Sequence, residues 1–306
     1  MVSTAARAEI ARMFAEREEQ QGLFPDGKPL AERRADWDNQ MREMTLPFGT
    51  QVSPVNAGEI KSEWVETPGA TRGRVLLLLH GGGYNSGSPL THRKLAALLG
   101  AAARMRVLVP DYRLAPEHRF PAAVDDALAA LTWLKAEGIA EDRVVVAGDS
   151  AGGGLALSLL LRLRDVGAAM PRAAVLLSPW TDLSVSSPSY EQMRGLDPII
   201  TPEGLAEAGR WYAGEGGVTD PMASPLFANL RGLPPLLIHA GGDETMLDDS
   251  RIFAQRAKEA GVAVSYKEWP GLWHVFHHAA PDVPEAVEAM SEVAAFIRSQ
   301  FGGQLD

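Results

Sequence analysis

Residues 143–155 read RVVVAGDSAGGGL. The run Val144-Val145-Val146-Ala147 is continuous, apolar and β-branched, which suits a strand covered on both faces of a sheet. Past the glycines, Leu155-Ala156-Leu157-Ser158-Leu159-Leu160-Leu161 suits a helix. Between the two lies Gly148-Asp149-Ser150-Ala151-Gly152, so a buried strand turns sharply into a helix with a serine at the turn. Glycines two before and two after that serine fit a strained turn in which side chains would collide with the neighbouring strand and helix. The hydroxyl is thereby held out at the end of the sheet.

Working outward, further apolar runs flank this one. Arg74 to Leu79, RVLLLL, predicts a second strand buried on both faces, and it ends in His80-Gly81-Gly82-Gly83-Tyr84. A helix over about Pro89–Ala102 leads to a strand at Arg106–Val109 and then to DYRLAPEH at 111–118, after which Pro121 opens a helix carrying Val124, Leu128, Leu131 and Leu134 on one face. Ala173–Ser178 and Pro235–Ala240 predict strands, a helix with Ile252, Phe253 and Ala257 ends at Gly261, and Val262–Trp269 predicts the last strand. An amphipathic helix over about Pro284–Phe301 closes the chain. Strands alternating with helices at this spacing mean an α/β fold, a mostly parallel central sheet with helices on both faces.

Two regions break the alternation. Residues 3–19 set Ile10, Met13 and Phe14 at helical spacing among charges, and a second helix is expected near Pro29–Met41 around Trp37. These are surface helices packed on the body or a lid over a pocket. Between Pro179 and Glu215 the composition shifts to proline and glycine around a short helix, as in an insertion between core elements. From Glu43 to Glu66 loose alternation predicts edge strands interrupted by Pro54 and Gly58.

Composition narrows the function classes. A chain of 306 residues, 46% hydrophobic, can bury one large α/β core with a small accessory subdomain. A formal charge of -10 with no basic stripe argues against nucleic acid or an anionic membrane as partner. With no cysteine there is neither disulfide nor thiolate zinc site, and a reducing compartment is compatible. The N-terminal MVSTAARAEIARMF lacks the apolar core of a signal peptide, and no run approaches the ~20 apolar residues that span a bilayer, so a cytoplasmic location is expected. No cofactor motif and no metal-ligand set is identified. A homo-oligomer is compatible with these features.

The strand, serine turn and helix form the nucleophile-elbow pattern of the α/β-hydrolases. A serine hydroxyl needs a general base within hydrogen-bond reach, itself oriented by a carboxylate, and in that fold the three follow in the order serine, acid, histidine, each just past a strand end. Ser150 follows one strand, Asp243 and Glu244 follow the 235–240 strand, and His274 follows the last. His277 and His278 compete with His274, but they read better as the start of flanking structure. Three glycines at 81–83 let backbone N–H groups turn toward a common point, as an oxyanion site requires. Asp149 is expected to be structural, stabilised by the helix dipole and backbone donors. Asp111 and Arg113 are also expected to be structural, buttressing the glycine loop. Tyr84, Trp180 and Trp211 could equally line an acyl pocket or belong to core and cap.

Together, HGGGY at 80–84, DYRLAPEH at 111–118, GDSAGG at 148–153, SPL at 224–226 and GLWHVF at 271–276 resemble the hormone-sensitive lipase family of esterases, bacterial lipase family IV, over about residues 70–280. The resemblance implies an α/β-hydrolase domain over 46–306, with a helical cap built from residues 1–45 and an insertion at about 183–215. It implies a serine carboxylesterase acting on short- to medium-chain carboxylic esters, a small-molecule substrate, through an acyl-enzyme. Carried over to this sequence, Ser150 is the nucleophile, His274 the base, and the amides of Gly82, Gly83 and Ala151 the oxyanion donors. Relatives carry an acid shortly before an acidic pair; here the pair is Asp248-Asp249, which aligns Glu244, rather than Asp243, with the catalytic carboxylate. Lactone, amide or carbonate hydrolysis by the same machinery is an alternative, as is a non-catalytic small-ligand receptor on the same scaffold.

Overall fold

The computed structural model describes residues 2–19 and 28–302. Part of the expected N-terminal lid, residue 1 and residues 20–27, therefore lies outside the described residues. Eight strands form one sheet: β1 (Gln51–Ala57), β2 (Ile60–Glu66), β3 (Thr71–Leu79), β4 (Met105–Pro110), β5 (Val144–Asp149), β6 (Ala173–Leu177), β7 (Leu236–Gly241) and β8 (Val264–Trp269), in the order β1-β2-β4-β3-β5-β6-β7-β8. The pairs β1–β2 and β2–β4 are antiparallel and the others are parallel. The α/β expectation holds.

Pro54 does not interrupt an edge strand as expected; it sits inside β1, paired with Glu63, while Gly58 serves the hairpin turn with φ +69°. β1 is the outermost strand, where a residue without an N–H can sit with its bare side away from the ladder.

Nine helices occur among the described residues: α1 (Thr4–Glu19), α2 (Leu30–Arg42), α3 (Pro89–Ala103), α4 (Ala122–Ala136), α5 (Ala151–Asp165), α6 (Ser189–Gln192), α7 (Pro202–Tyr212), α8 (Leu247–Glu259) and α9 (Pro284–Gln300). Their starts are written locally. Pro89, Pro202 and Pro284 occupy the first turn, where a missing N–H costs nothing, and Ser88 with Thr91 closes a capping box on α3.

Alternation within the central strands divides the core in two. Leu77, Leu79, Val144 and Val146 pack on one face with α4, α5, α7 and α8 residues; Leu76, Leu78, Val145 and Ala147 pack on the other with α3 and α9. Full burial of all of them explains why these strands read as unbroken apolar runs. At ~25 cal/mol per Å² of apolar area, burying such side chains contributes roughly 1.5–3 kcal/mol each.

The 179–215 stretch carries α6 and α7, and its Leu183, Tyr190, Leu205 and Tyr212 are buried in the first of these cores. On the N-terminal side, Arg34 of α2 donates to the carbonyls of Asn85 (2.7 Å) and Ala115 (2.8 Å) and pairs with Glu117. Asp38 of α2 accepts from the Ser88 hydroxyl at 2.6 Å. α2 thus meets the body next to the glycine loop. Among the described residues, no helix is long and apolar enough to cross a membrane.

Candidate active site

Ser150 stands between β5 and α5 with φ +53° and ψ -123°, a conformation an L-residue adopts only when its surroundings enforce it. Its N–H donates to Leu177 O of β6 (2.9 Å), and its carbonyl accepts from Gly153, Gly154 and Trp180. The residue is 7% exposed, and its side chain is left out of this network. Gly152 is what lets the elbow close, because a Cβ there would stand 2.0 Å from Leu79 O and 2.6 Å from His80 O.

The glycine loop follows β3, the strand beside β5. Gly82 has φ +115°, and a Cβ on it would lie 2.3 Å from Ser86 O; Gly83 has φ +61°. Gly81 N–H is already committed, at 3.1 Å from both Asp149 Oδ1 and His92 Nε2. Among the described residues, the amides of Gly82, Gly83 and Ala151 donate to no protein acceptor. Ala151 is also the first residue of α5, so its amide carries the positive end of a 15-residue helix dipole.

His274 and Glu244 come together as the motif alignment expected. His274 follows β8, Glu244 follows β7, and Nδ1 lies 3.7 Å from Oε2 with the side chains 3% and 0% exposed. The separation is longer than a hydrogen bond, as acid–base pairs often are before substrate arrives. His274 Nε2 and Glu244 Oε1 are buried with no hydrogen-bond partner. Burial, the largest influence on His274, disfavours the imidazolium, but Glu244 beside it, with the charges of Asp197 and Asp149, outweighs that and holds its pKa above the ordinary histidine value. Burial likewise raises the Glu244 pKa, against the opposing pull of His274, Ser178 and the Gly241 amide. Asp243 is only half-buried, and its N–H donates to Leu272 O (2.9 Å).

The competing histidines face elsewhere. His277 Nε2 lies 3.3 Å from His239 Nδ1, and His278 Nε2 lies 3.7 Å from Asp149. Asp149 takes one backbone donor, Gly81 N–H of the glycine loop, and beyond the backbone donors expected it meets two imidazoles, His92 Nε2 at 3.2 Å and His278. Burial pushes its carboxyl up, yet the two imidazoles overcome this and hold it well below the usual carboxylate range. His92, Asp149 and His278 bring ligand atoms within 4.8 Å of one another, but His92 Nε2 is engaged with Asp149 Oδ2 at 3.2 Å and its Nδ1 with the Thr91 hydroxyl.

The 111–118 segment does support the glycine loop, through residues other than those expected. Tyr112 OH donates to His80 O (2.6 Å) and Ala115 N–H to Tyr84 O (2.9 Å). Arg113 instead grips Asp126 of α4, and Asp111 N–H bonds Lys61 O on β2. Tyr84 and Trp180 are fully buried core residues. Tyr212, not Trp211, stacks on Tyr84, with ring centroids 3.7 Å apart.

Two site residues escaped the sequence reading. Ser178 follows β6 and bonds Glu244 and the His274 loop, and its one visible signal was its place at a strand end. Asp197, fully buried, accepts from Thr245 N–H (2.9 Å) beside Glu244, while its carbonyl accepts from Arg17 of α1 (3.1 Å). Nothing in the local sequence marks it.

A family model described as "alpha/beta hydrolase fold" matches residues 76–278. The acetyl-hydrolase of Streptomyces hygroscopicus is 43% identical over 248 residues, 81% of this chain and 83% of its own. An esterase of Acinetobacter venetianus is 35% identical over 250 residues, 81% of this chain and 82% of its own. Among solved structures, an esterase from the bacterial hormone-sensitive lipase family superposes with a TM-score of 0.92 at 39% identity, covering 99% of this chain and all of that one. A hormone-sensitive lipase from a metagenome library gives 0.91 at 35% identity, covering 98% and 99%. The chain belongs to the hormone-sensitive lipase family of α/β-hydrolases and is a carboxylic ester hydrolase.

Proposed function

We propose that this esterase works by a serine mechanism, with Ser150 as nucleophile, His274 as general base and Glu244 as the carboxylate that orients it. The observation carrying this reading is the buried Glu244–His274 pair, 3.7 Å apart, in the loops after β7 and β8 of the same sheet whose β5 leads into Ser150. Ser150 Oγ attacks the ester carbonyl carbon and passes its proton to His274 Nε2. Glu244 stabilises the imidazolium so formed without taking the proton. The carbonyl oxygen becomes an oxyanion held by the amides of Gly82, Gly83 and Ala151, each such donor contributing on the order of 3 kcal/mol in the transition state. His274 then protonates the departing alcohol, and water repeats the sequence on the acyl-enzyme.

The uncommitted amides and the positive φ values at Gly82 and Ser150 support these roles. Short to medium acyl chains are the proposed substrates, in keeping with a 43% identical relative named an acetyl-hydrolase. Residues 1–45 and about 183–215 are proposed as the cap over the site, supported by their contacts: Arg34 and Asp38 with the glycine-loop region, Tyr212 with Tyr84, and Asp197 with the Glu244 loop. A cytoplasmic location is proposed from the cysteine-free composition, and cell fractionation tests it. The mechanism is tested with p-nitrophenyl acetate and butyrate: Ser150→Ala is expected to abolish turnover and labelling by an organophosphonate. Unchanged hydrolysis in that variant ends the reading.

A further inference from the structure

The Ser178 hydroxyl lies where three strand ends meet. Ser178 is the first residue after β6 and fully buried, and its N–H donates to His239 O of β7 at 2.7 Å. Its Oγ accepts the N–H of Val275, the residue after His274, at 3.2 Å, and its own proton goes to Glu244 Oε2. The direction is forced at the Val275 end, because an amide N–H can only donate, and at the other end an ionised carboxylate can only accept. Gly241 N–H donates to the same Oε2 at 3.0 Å. One hydroxyl therefore joins the loop carrying the acid to the loop carrying the base.

The backbone at Ser178 sharpens the point. Its φ is +49°, in the left-handed region where glycine is cheaper than any L-residue, and Val275 has φ +52°. A hydroxyl held at a position that favours glycine, with both its hydrogen-bonding capacities spent on the loops of Glu244 and His274, points to the side chain rather than the backbone.

We propose that Ser178 is a positioning residue for the acid–base pair, its hydroxyl holding Glu244 against His274 and favouring the ionised carboxylate. The inference rests on the serine-esterase reading above. It adds a fourth side chain to that machinery, one that touches neither substrate nor the reacting atoms. Without this donor the buried carboxylate takes up a proton more readily, and a protonated acid no longer supports the imidazolium. The other groups acting on the pair, Asp197 and Asp149 toward His274 and Tyr266 toward Glu244, stay in place.

The test compares Ser178→Ala and Ser178→Gly in the full chain with p-nitrophenyl butyrate across pH. Glycine suits the φ of +49°, so that variant keeps the fold even if alanine does not. Loss of one charge-assisted donor is expected to lower kcat roughly ten- to a hundred-fold with KM little changed. The acid limb of the kcat profile, set by His274, is expected to move down by about one pH unit, because a less firmly held Glu244 supports the imidazolium less. A merely structural serine would lower activity without moving that limb, and wild-type kcat and limb in Ser178→Gly would show the hydroxyl to be idle. Either result overturns the inference. NMR titration of the His274 ring supplies a readout independent of turnover. A moved titration in a protein whose Ser150 neither reacts with organophosphonate nor turns over ester overturns only the esterase reading, whereas an unmoved one overturns the role of Ser178.

Discussion

Gly152→Ala is the most direct test of the geometry at the elbow. The added Cβ would stand 2.0 Å from Leu79 O and 2.6 Å from both the carbonyl oxygen and, within 0.1 Å, the carbonyl carbon of His80, where side-chain carbons do not come within 3.0 Å. These are main-chain atoms at the end of β3, and Leu79 is paired with Gly148 across β3–β5, so relief requires α5 to back away or the central pairing to open. Overpacking of a well-filled interior typically costs 1–3 kcal/mol, and against immobile backbone about 3 kcal/mol or more is expected. For a chain of 306 residues that corresponds to a fall in Tm of roughly 5 °C. Moving His80 and the elbow also displaces Gly82 and Ala151, so kcat should fall together with Tm. Gly73→Ala, on the same β3 but with nothing within 4 Å of the added carbon, is the control and should stay within about 0.5 kcal/mol of wild type. Thermal unfolding by circular dichroism, with kcat on p-nitrophenyl butyrate, measures both. A Gly152→Ala protein as stable and active as Gly73→Ala would refute the close approach of α5 to β3.

Glu244→Gln keeps the shape of the acid but not its charge and should lower kcat on the order of a thousand-fold, whereas Asp243→Asn should stay within about a factor of three; equal effects in steady-state assays would reverse the choice of acid. The raised His274 pKa sets the pH dependence: the base works only when neutral, so kcat/KM should fall as pH drops through a midpoint above the ordinary histidine value of about 6.5, and a midpoint below it would contradict the dominance of Glu244 over burial. Arg34→Ala removes the bonds tying α2 to Asn85, Ala115 and Glu117 and should cost about 1–2 kcal/mol in thermal unfolding, while Ser150 is still labelled by organophosphonate.

Much of this protein was legible in the residues alone. The unbroken apolar runs at 74–79 and 144–147, glycines about a central serine and prolines at helix starts are local signals, each enforced by the backbone of its own segment. Order along the chain and position after a strand then singled out Ser150, His274 and the pair Asp243–Glu244. Which carboxylate meets His274 depends on the path of the loop after β7, and adjacent residues there point in different directions, so only the folded sheet brings Glu244 rather than its neighbour to the imidazole. Ser178 and Asp197 were invisible for the same reason. Their partners lie 66 and 48 residues away in sequence, and a hydroxyl or carboxylate that bonds across strand ends leaves no periodicity in its own segment. Asp149 took its partners from the glycine loop after β3, from α3 and from the turn after His274 rather than from the helix it precedes, because burial leaves a charge no choice but the donors that tertiary packing supplies.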